Sequence, residues 1–309
     1  MNLKPQRAVY AGILLAVLTT LIWSGNFIVA RAAFKLMPPV SMAFYRWLTA
    51  SIIILPFGCK KVWEEKKLLS ENASYLFWAS LTGIALFNTC VYVAGHYSTA
   101  INLALVGTTS SPIMAVILAR IFLKEKITSL RVIGLILCIF GILFLMGKGS
   151  LKQIILLRFS IGDVWVLLGA FFFAIYNILV RKKPSGISPL AFTSVIFTAG
   201  TLMLLPFFIF EQQHSAPVHW DRNMFLIVIY LGLGNSVICY ICWNAAIARL
   251  GAARTALFGN LIPVFSSLEA AWILDEKVTV IHILSLFMVI TGLIIANLKI
   301  RNPRSSLLT

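Results

Sequence analysis

Acidic side chains are scarce in this chain: 10 Asp and Glu stand against 26 Lys and Arg in 309 residues, with only 4 histidines. An enzyme acting on lipid-linked substrates needs acids, histidines or a nucleophile gathered at one membrane face. The isolated Glu269 and the scattered histidines argue against that class. Charged residues make up only 12% of the chain, and no polar stretch is long enough for a soluble domain. No glycine-rich phosphate loop with its lysine occurs, which excludes nucleotide-driven pumping by this chain. The five cysteines, Cys59, Cys90, Cys138, Cys239 and Cys242, include one CxxC but no second ligand pair. Packing is their expected role, and no metal or cofactor site is expected.

What the chain has in abundance is apolar sequence. Hydrophobic residues make up 60% and the mean hydropathy is +0.93, which is too apolar for the surface of a soluble globule. Long apolar runs separated by short basic clusters indicate a polytopic helical membrane protein. The net charge of +16 does not indicate nucleic acid, because the basic residues lie between apolar runs rather than along a polar stripe. The basic start, Lys4 and Arg7, leads into a first span without a small-x-small cleavage site, so that span is expected to be retained.

The runs predict ten transmembrane helices: Tyr10 to Ala33, Val40 to Phe57, Ser74 to Val93, Ile101 to Phe122, Leu130 to Met146, Val164 to Val180, Pro189 to Phe210, Met224 to Trp243, Ala252 to Leu274 and Val280 to Leu298. Each approaches the roughly 20 residues that cross about 30 Å of hydrocarbon. With the N-terminus inside, 18 of the 26 basic residues fall on the inner side and 8 on the outer. This bias places both termini in the cytoplasm, although Lys148, Lys152 and Arg158 work against it.

The chain also repeats itself. SPIMAVILARIFLKEKIT (Ser111 to Thr128) returns as IPVFSSLEAAWILDEKVT (Ile262 to Thr279). Pro112 and Pro263, Ala119 and Ala270, Leu123 and Leu274, Glu125 and Glu276, Lys126 and Lys277, and Thr128 and Thr279 share one offset of 151 residues. Asn26 and Asn177 keep that offset, as do Gly141 and Gly292. Pro39 to Pro56 matches the spacing of Pro189 to Pro206 at an offset of 150. The expected organisation is repeat one over residues 8–147, a connecting loop at 148–161, repeat two over 162–298 and a cytoplasmic tail at 299–309. Five spans is an odd number, so the second half is expected to cross the membrane upside down.

Polar groups in hydrocarbon are costly and mark interior contacts or pathways. The candidates are Trp23 and Asn26 in span 1, Tyr45 and Arg46 in span 2, Asn88, Tyr92 and His96 along one face of span 3, Tyr176 and Asn177 in span 6, and Asn235, Tyr240, Trp243 and Asn244 around span 8. The asparagines fit solute binding or interhelical contact equally. Arg46 fits a counter-charge for a substrate carboxylate, or snorkelling to the outer headgroups. Trp243 fits stacking on a solute or anchoring at the membrane interface. Glu269 lies midway along span 9, where position 118 of the first half is leucine; it is the candidate for proton coupling, or for an internal pair with Arg46. His96 sits near the outer boundary, where gating, exposure and proton transfer all remain open. Pro112 and Pro263 each remove an amide donor and are candidate kinks or hinges. Glu125 and Glu276 close their spans, and Thr128 and Thr279 are placed to cap the helices that follow.

These residues resemble the EamA-like, ten-helix branch of the drug/metabolite transporter superfamily. The resemblance rests on Pro112 to Thr128 with Gly134 and Gly141, Pro263 to Thr279 with Gly292, WSGNFIVAR from Trp23, and AFYRW from Ala43. It implies two inverted five-helix repeats around a central cavity in a bacterial cytoplasmic membrane, and export of amino acids or related small metabolites by a secondary transporter. The glutamate usual in the first span of small multidrug-resistance proteins is absent around Ala16 to Leu18, so their cation exchange does not carry over. Uptake or exchange of a nucleotide-like metabolite, a lipid-modifying enzyme and a non-transporting membrane protein are the alternatives. The expected partners are a small metabolite and the lipid bilayer, with no nucleic acid. A monomer suffices to supply both halves, and dimerisation stays open.

Overall fold

A computed structural model describes residues 5–33, 37–97, 100–156, 160–215, 218, 220–273 and 279–298. The described chain is all helical. The elements are α1 (Pro5–Ala33), α2 (Pro39–Glu64), α3 (Ala73–Gly95), α4 (Ala100–Leu123), α5 (Ser129–Met146), α6 (Ile161–Arg181), α7 (Pro189–His214), α8 (Arg222–Leu250), α9 (Ile262–Ile273) and α10 (Val280–Asn297). Short helices Lys66–Glu71 and Leu151–Ile155 connect α2 to α3 and α5 to α6. Among the described residues, eight helices are long and apolar enough to cross a membrane, and Ser110–Leu123 is a shorter apolar one. α4, the fourth span of the sequence reading, is itself a helix of 24 residues. α9 is shortened because Ala252–Leu257 gives way to a 3-10 turn at Phe258–Leu261 before Ile262.

Local sequence sets the helix ends. Pro39 and Pro189 open α2 and α7, where a missing amide costs nothing. The Thr128 hydroxyl accepts from the Arg131 amide at 3.3 Å, and Thr279 forms a capping box with His282, as expected of both threonines. α2 and α7 overrun the expected ends at Phe57 and Phe210 and continue to Glu64 and His214. At 26 residues each they are about 39 Å long. Long cationic side chains such as Lys60 and Lys61 prolong a helix into the headgroup layer without burying charge.

The helices pair pseudo-symmetrically. α2 and α7 lie antiparallel, and each secures the other's start. Glu211 near the end of α7 accepts from the amides of Val40 and Ser41 at 3.1 and 2.6 Å. Glu65, just past the end of α2, accepts from the Ser188 amide at 2.8 Å. Midway, the hydroxyls of Ser51 and Thr201 meet at 3.1 Å, and these residues are 150 apart in sequence. α5 and α10 repeat the arrangement. Cys138 donates to the Val289 carbonyl at 3.5 Å across an interval of 151 residues. A Cβ on Gly134 would stand 2.3 Å from the Gly292 carbonyl oxygen, and one on Gly292 would stand 2.6 Å from that of Gly134. Small residues permit the close backbone approach that lipid-embedded helices need, because no hydrophobic force drives them together there. The other major contacts obey the same exchange: α1 packs on α8 and α9, as α6 packs on α3 and α4.

One end of the bundle gathers the start of α1 and the end of α10. Gly12 packs against Arg249 and Leu250, Arg181 donates to the Ala248 carbonyl, and Arg254 binds Asn297. Glu125 sits at this end too, 3.6 Å from Arg131 and against Gly251. The outward faces carry Leu14, Phe57, Phe140, Phe207 and Phe287, all exposed from the chain, as lipid-facing surfaces require. The protein is an integral membrane protein.

Candidate substrate-binding centre

The centre is organised by two π-helical segments, Leu81–Leu86 in α3 and Tyr230–Ile238 in α8. They fall at matching places in the two halves, since Leu81 and Leu231 are 150 apart. A π turn shifts the backbone ladder by one residue and leaves carbonyls available to side chains, and such turns recur at functional sites. Here the Gly83 carbonyl accepts from the Tyr240 hydroxyl at 2.7 Å. The Asn235 carbonyl accepts from Trp23 Nε1 at 3.0 Å and from Arg46 Nη2 at 3.1 Å. Ser236 donates five residues back to the Leu231 carbonyl at 2.9 Å.

Arg46 is 3% exposed. Its guanidinium also donates from Nε to the Ser236 hydroxyl at 2.7 Å and from Nη1 to the Tyr92 hydroxyl at 3.0 Å. All three partners are neutral, and no carboxylate among the described residues contacts it. Burial excludes the snorkelling reading of Arg46. The internal pair with Glu269 is not formed either, because Glu269 Oε1 accepts instead from the Ser24 hydroxyl at 2.7 Å. A buried cation without an anionic partner is costly, by several kcal/mol in order of magnitude.

Beside Arg46 stands a cluster of rings. Trp23 lies 4.9 Å from Trp243, 5.8 Å from Phe173 and 6.1 Å from Tyr240, centroid to centroid. Tyr240 lies 5.0 Å from Trp47 and 5.6 Å from Tyr176. Trp47, Tyr92, Tyr176, Tyr240 and Trp243 are fully buried, which rules out an interfacial anchor role for Trp243. Beyond the rings, α6 and α8 exchange two hydrogen bonds through adjacent residues. Trp243 Nε1 donates to Asn177 Oδ1 at 2.9 Å, and the Tyr176 hydroxyl donates to Asn244 Oδ1 at 2.8 Å. Asn88 reaches the Tyr240 hydroxyl at 3.5 Å.

The structure therefore brings together Trp23, Arg46, Asn88, Tyr92, Tyr176, Asn177, Trp243 and Asn244. It does not bring Tyr45 to them. Tyr45 packs on Phe44, Phe208 and Trp220, because its neighbour Arg46 takes the inward face of α2. The side chains of Asn26 and His96 lie outside the described residues, as does all of Glu276. Pro112 is buried within a continuous α4, whereas Pro263 is the second residue of α9 after the 3-10 turn, so the two prolines shape their helices differently. Sequence reasoning missed Trp47, Phe173, Ser236 and the π turns. The run Gly232, Gly234, Asn235, Ser236 inside an apolar span was the readable signal for the turn in α8.

Fold and centre together are those of a polytopic membrane protein whose pseudo-symmetric helix pairs surround a buried polar and aromatic site. The chain belongs to the EamA-like transporter family, whose model matches residues 10–147 and again 160–298. It is a membrane transport protein. It is similar to the uncharacterized transporter YyaM of Bacillus subtilis, at 27% identity over 90% of this chain and 91% of that one. It is similar at 27% to an uncharacterized transporter of Archaeoglobus fulgidus, over 85% and 89% of the two chains. It is also similar to a protein of Escherichia coli named probable amino-acid metabolite efflux pump, at 25% identity over 91% and 93%. A solved protein crystal structure shares the fold with a TM-score of 0.74 at 15% identity, covering 94% of this chain and 96% of that one.

Proposed function

We propose that this protein is a ten-helix secondary transporter that exports amino acids or related small metabolites by alternating access. Two inverted five-helix repeats, 8–147 and 162–298, are joined by the loop 148–161 and followed by a cytoplasmic tail at 299–309. Both termini face the cytoplasm of a bacterial inner membrane, and one chain supplies both halves. The exchange-symmetric packing of α2 with α7 and α5 with α10 supports the inverted arrangement. The relatives named as amino-acid metabolite efflux pumps in Escherichia coli and Salmonella typhimurium support the substrate class and direction.

The observation that carries the reading is Arg46, a buried cation surrounded by neutral groups. A substrate carboxylate supplies the missing counter-charge, and the guanidinium has N–H groups left to bind it. Trp23, Tyr92 and Trp243 enclose the body of the solute, with Asn88, Tyr176, Asn177 and Asn244 contributing polar contacts and Asn26 the counterpart of Asn177. Glu269 takes up and releases the coupling proton, His96 and Tyr45 lie toward the outer mouth, and Pro112 and Pro263 serve as hinges. A phosphorylated nucleotide calls for several cations at the centre, and among the described residues Arg46 is the cation placed there, which disfavours the nucleotide alternative.

Uptake and counterflow in proteoliposomes, with a panel of amino acids and nucleotides and with or without a proton gradient, tests the proposal. Saturable, Arg46-dependent exchange of carboxylate-bearing metabolites is the expected result. Absence of specific flux for every member of the panel, or flux confined to nucleotides, overturns it.

A further inference from the structure

The central polar groups are not balanced between donors and acceptors. Three donors there are buried without a hydrogen-bond partner: Trp47 Nε1, Asn177 Nδ2 and Asn244 Nδ2. The orientation of Asn177 is fixed, because the indole N–H of Trp243 only donates and must face Oδ1. The Asn244 amide is held the same way by the Tyr176 hydroxyl, whose buried proton otherwise has no acceptor among the described residues. Arg46 adds the N–H groups left over from its three bonds. A natural interior rarely leaves such donors unmet, and each orphan costs about 1–3 kcal/mol. Their accumulation around one ring cluster points to a ligand that brings acceptors.

Resting on the reading of Arg46 as a carboxylate anchor, we infer that the centre selects a small carboxylic acid whose second polar group is a neutral acceptor, in preference to a free zwitterionic amino acid. An N-acyl amino acid has this chemistry: its carboxylate meets Arg46, and its amide carbonyl meets the free N–H groups of Asn177 and Asn244. A free amino acid presents instead an ammonium with three donors, and the centre offers it no carboxylate. The nearest acidic candidate, Glu269, is held at the α1–α9 contact by Ser24, with its other oxygen toward Gly25 and Tyr230. It makes no hydrogen bond to the central groups among the described residues.

The test is counterflow with the full chain in proteoliposomes, using N-acetyl-L-leucine, L-leucine and L-leucinamide as probes. N-acetyl-L-leucine is expected to exchange at least about tenfold faster than L-leucine, because an unpaired ammonium is strongly disfavoured in a buried site. Asn177→Asp keeps the Trp243 bond and turns the free donor into an anionic acceptor. It is expected to lower N-acetyl-L-leucine exchange about tenfold or more and to raise that of L-leucine. Asn244→Asp is the second variant, should the first not give a folded protein, and the same inversion is expected of it. If the native protein exchanges L-leucine as fast as its N-acetyl form, the inference falls while the carboxylate-transporter reading stands. If neither acid exchanges, both fall.

Discussion

Removing Arg46 together with the hydroxyl it binds separates a transport role from a structural one by the sign of two effects. In Arg46→Met/Tyr92→Phe no new orphan is left behind. Ser236 still donates to the Leu231 carbonyl, and the Asn235 carbonyl still accepts from Trp23. The variant exchanges a buried, uncompensated cation for apolar side chains of similar length. Replacing buried ionic groups by well-packed apolar ones is commonly stabilising, by about 1–4 kcal/mol. The substrate-free protein in detergent should therefore melt higher, by about 2–4 °C per kcal/mol. Substrate binding should move the other way. Two charge-assisted hydrogen bonds to a carboxylate, at about 1.5–3 kcal/mol each, correspond to a loss of about 10²- to 10⁴-fold in affinity. Thermal-shift curves with and without substrate, beside counterflow in proteoliposomes, read both effects on one preparation. A lower melting temperature combined with undiminished exchange would refute the reasoning, since Arg46 would then be a structural pin and not a binding group.

Four further outcomes are expected. Glu269→Gln should abolish proton-gradient-driven flux while leaving substrate exchange intact; driven flux at the native rate removes the carboxylate from the coupling step. Gly83→Ala should destabilise the protein by about 1–3 kcal/mol, because the added Cβ would stand 2.2 Å from the Tyr176 ring, and an unchanged melting temperature contradicts that packing. Glu65→Gln and Glu211→Gln should each cost about 0.5–2 kcal/mol, since each removes a charged acceptor from the start of the opposite helix, and a loss from only one of them breaks the proposed equivalence. In a cysteine-free background, Ser51→Cys/Thr201→Cys should form a disulfide that holds the halves together after a protease site introduced into residues 148–161 is cut; halves that separate without reductant show that α2 and α7 do not meet at these positions.

Helix placement was legible in the sequence to the extent that hydropathy carries it. Apolar runs marked the eight long apolar helices among the described residues, and Thr128 and Thr279 announced the starts of α5 and α10. Helix ends at charged residues were misjudged, because Lys60, Lys61 and Glu64 sustain a helix after hydrophobicity has ended. The centre was half legible. Polar and aromatic residues in apolar runs flagged Trp23, Arg46, Tyr92, Asn177 and Trp243, since burying such groups without partners is expensive. Their mutual geometry was not legible. It depends on which carbonyls the two π turns release, and backbone register of that kind leaves only a faint trace, the glycines and small polar residues near Gly83 and Asn235. Tyr45 shows the converse failure: adjacent residues on a helix point in different directions, so its neighbour's burial said nothing about its own.

The duplication itself explains the helix pairs better than it explains the centre. Ser51 meets Thr201 and Cys138 reaches Val289 because equivalent positions coincide where antiparallel helices cross. At the centre the equivalence is broken at the residues with chemistry. Arg46 stands where the second half has Ile196, and Glu269 where the first half has Leu118. A duplicated scaffold with identical chemistry in both halves would offer a solute two equal, oppositely directed sites. Arg46 makes the site polar from one side only, and Glu269 at the α1–α9 contact has Leu118 as its counterpart on α4. Under the proposed alternating access, the repeat accounts for two opposed sets of moving contacts, while the departures from it account for what is bound between them. Grafting the chemistry onto the other half should therefore not transfer it: Arg46→Ile/Ile196→Arg is expected to lose exchange, because Tyr92, Ser236 and the Asn235 carbonyl surround only the first-half position. Native-like exchange in that swapped protein would mean that the two halves are interchangeable and that the broken symmetry has no part in binding.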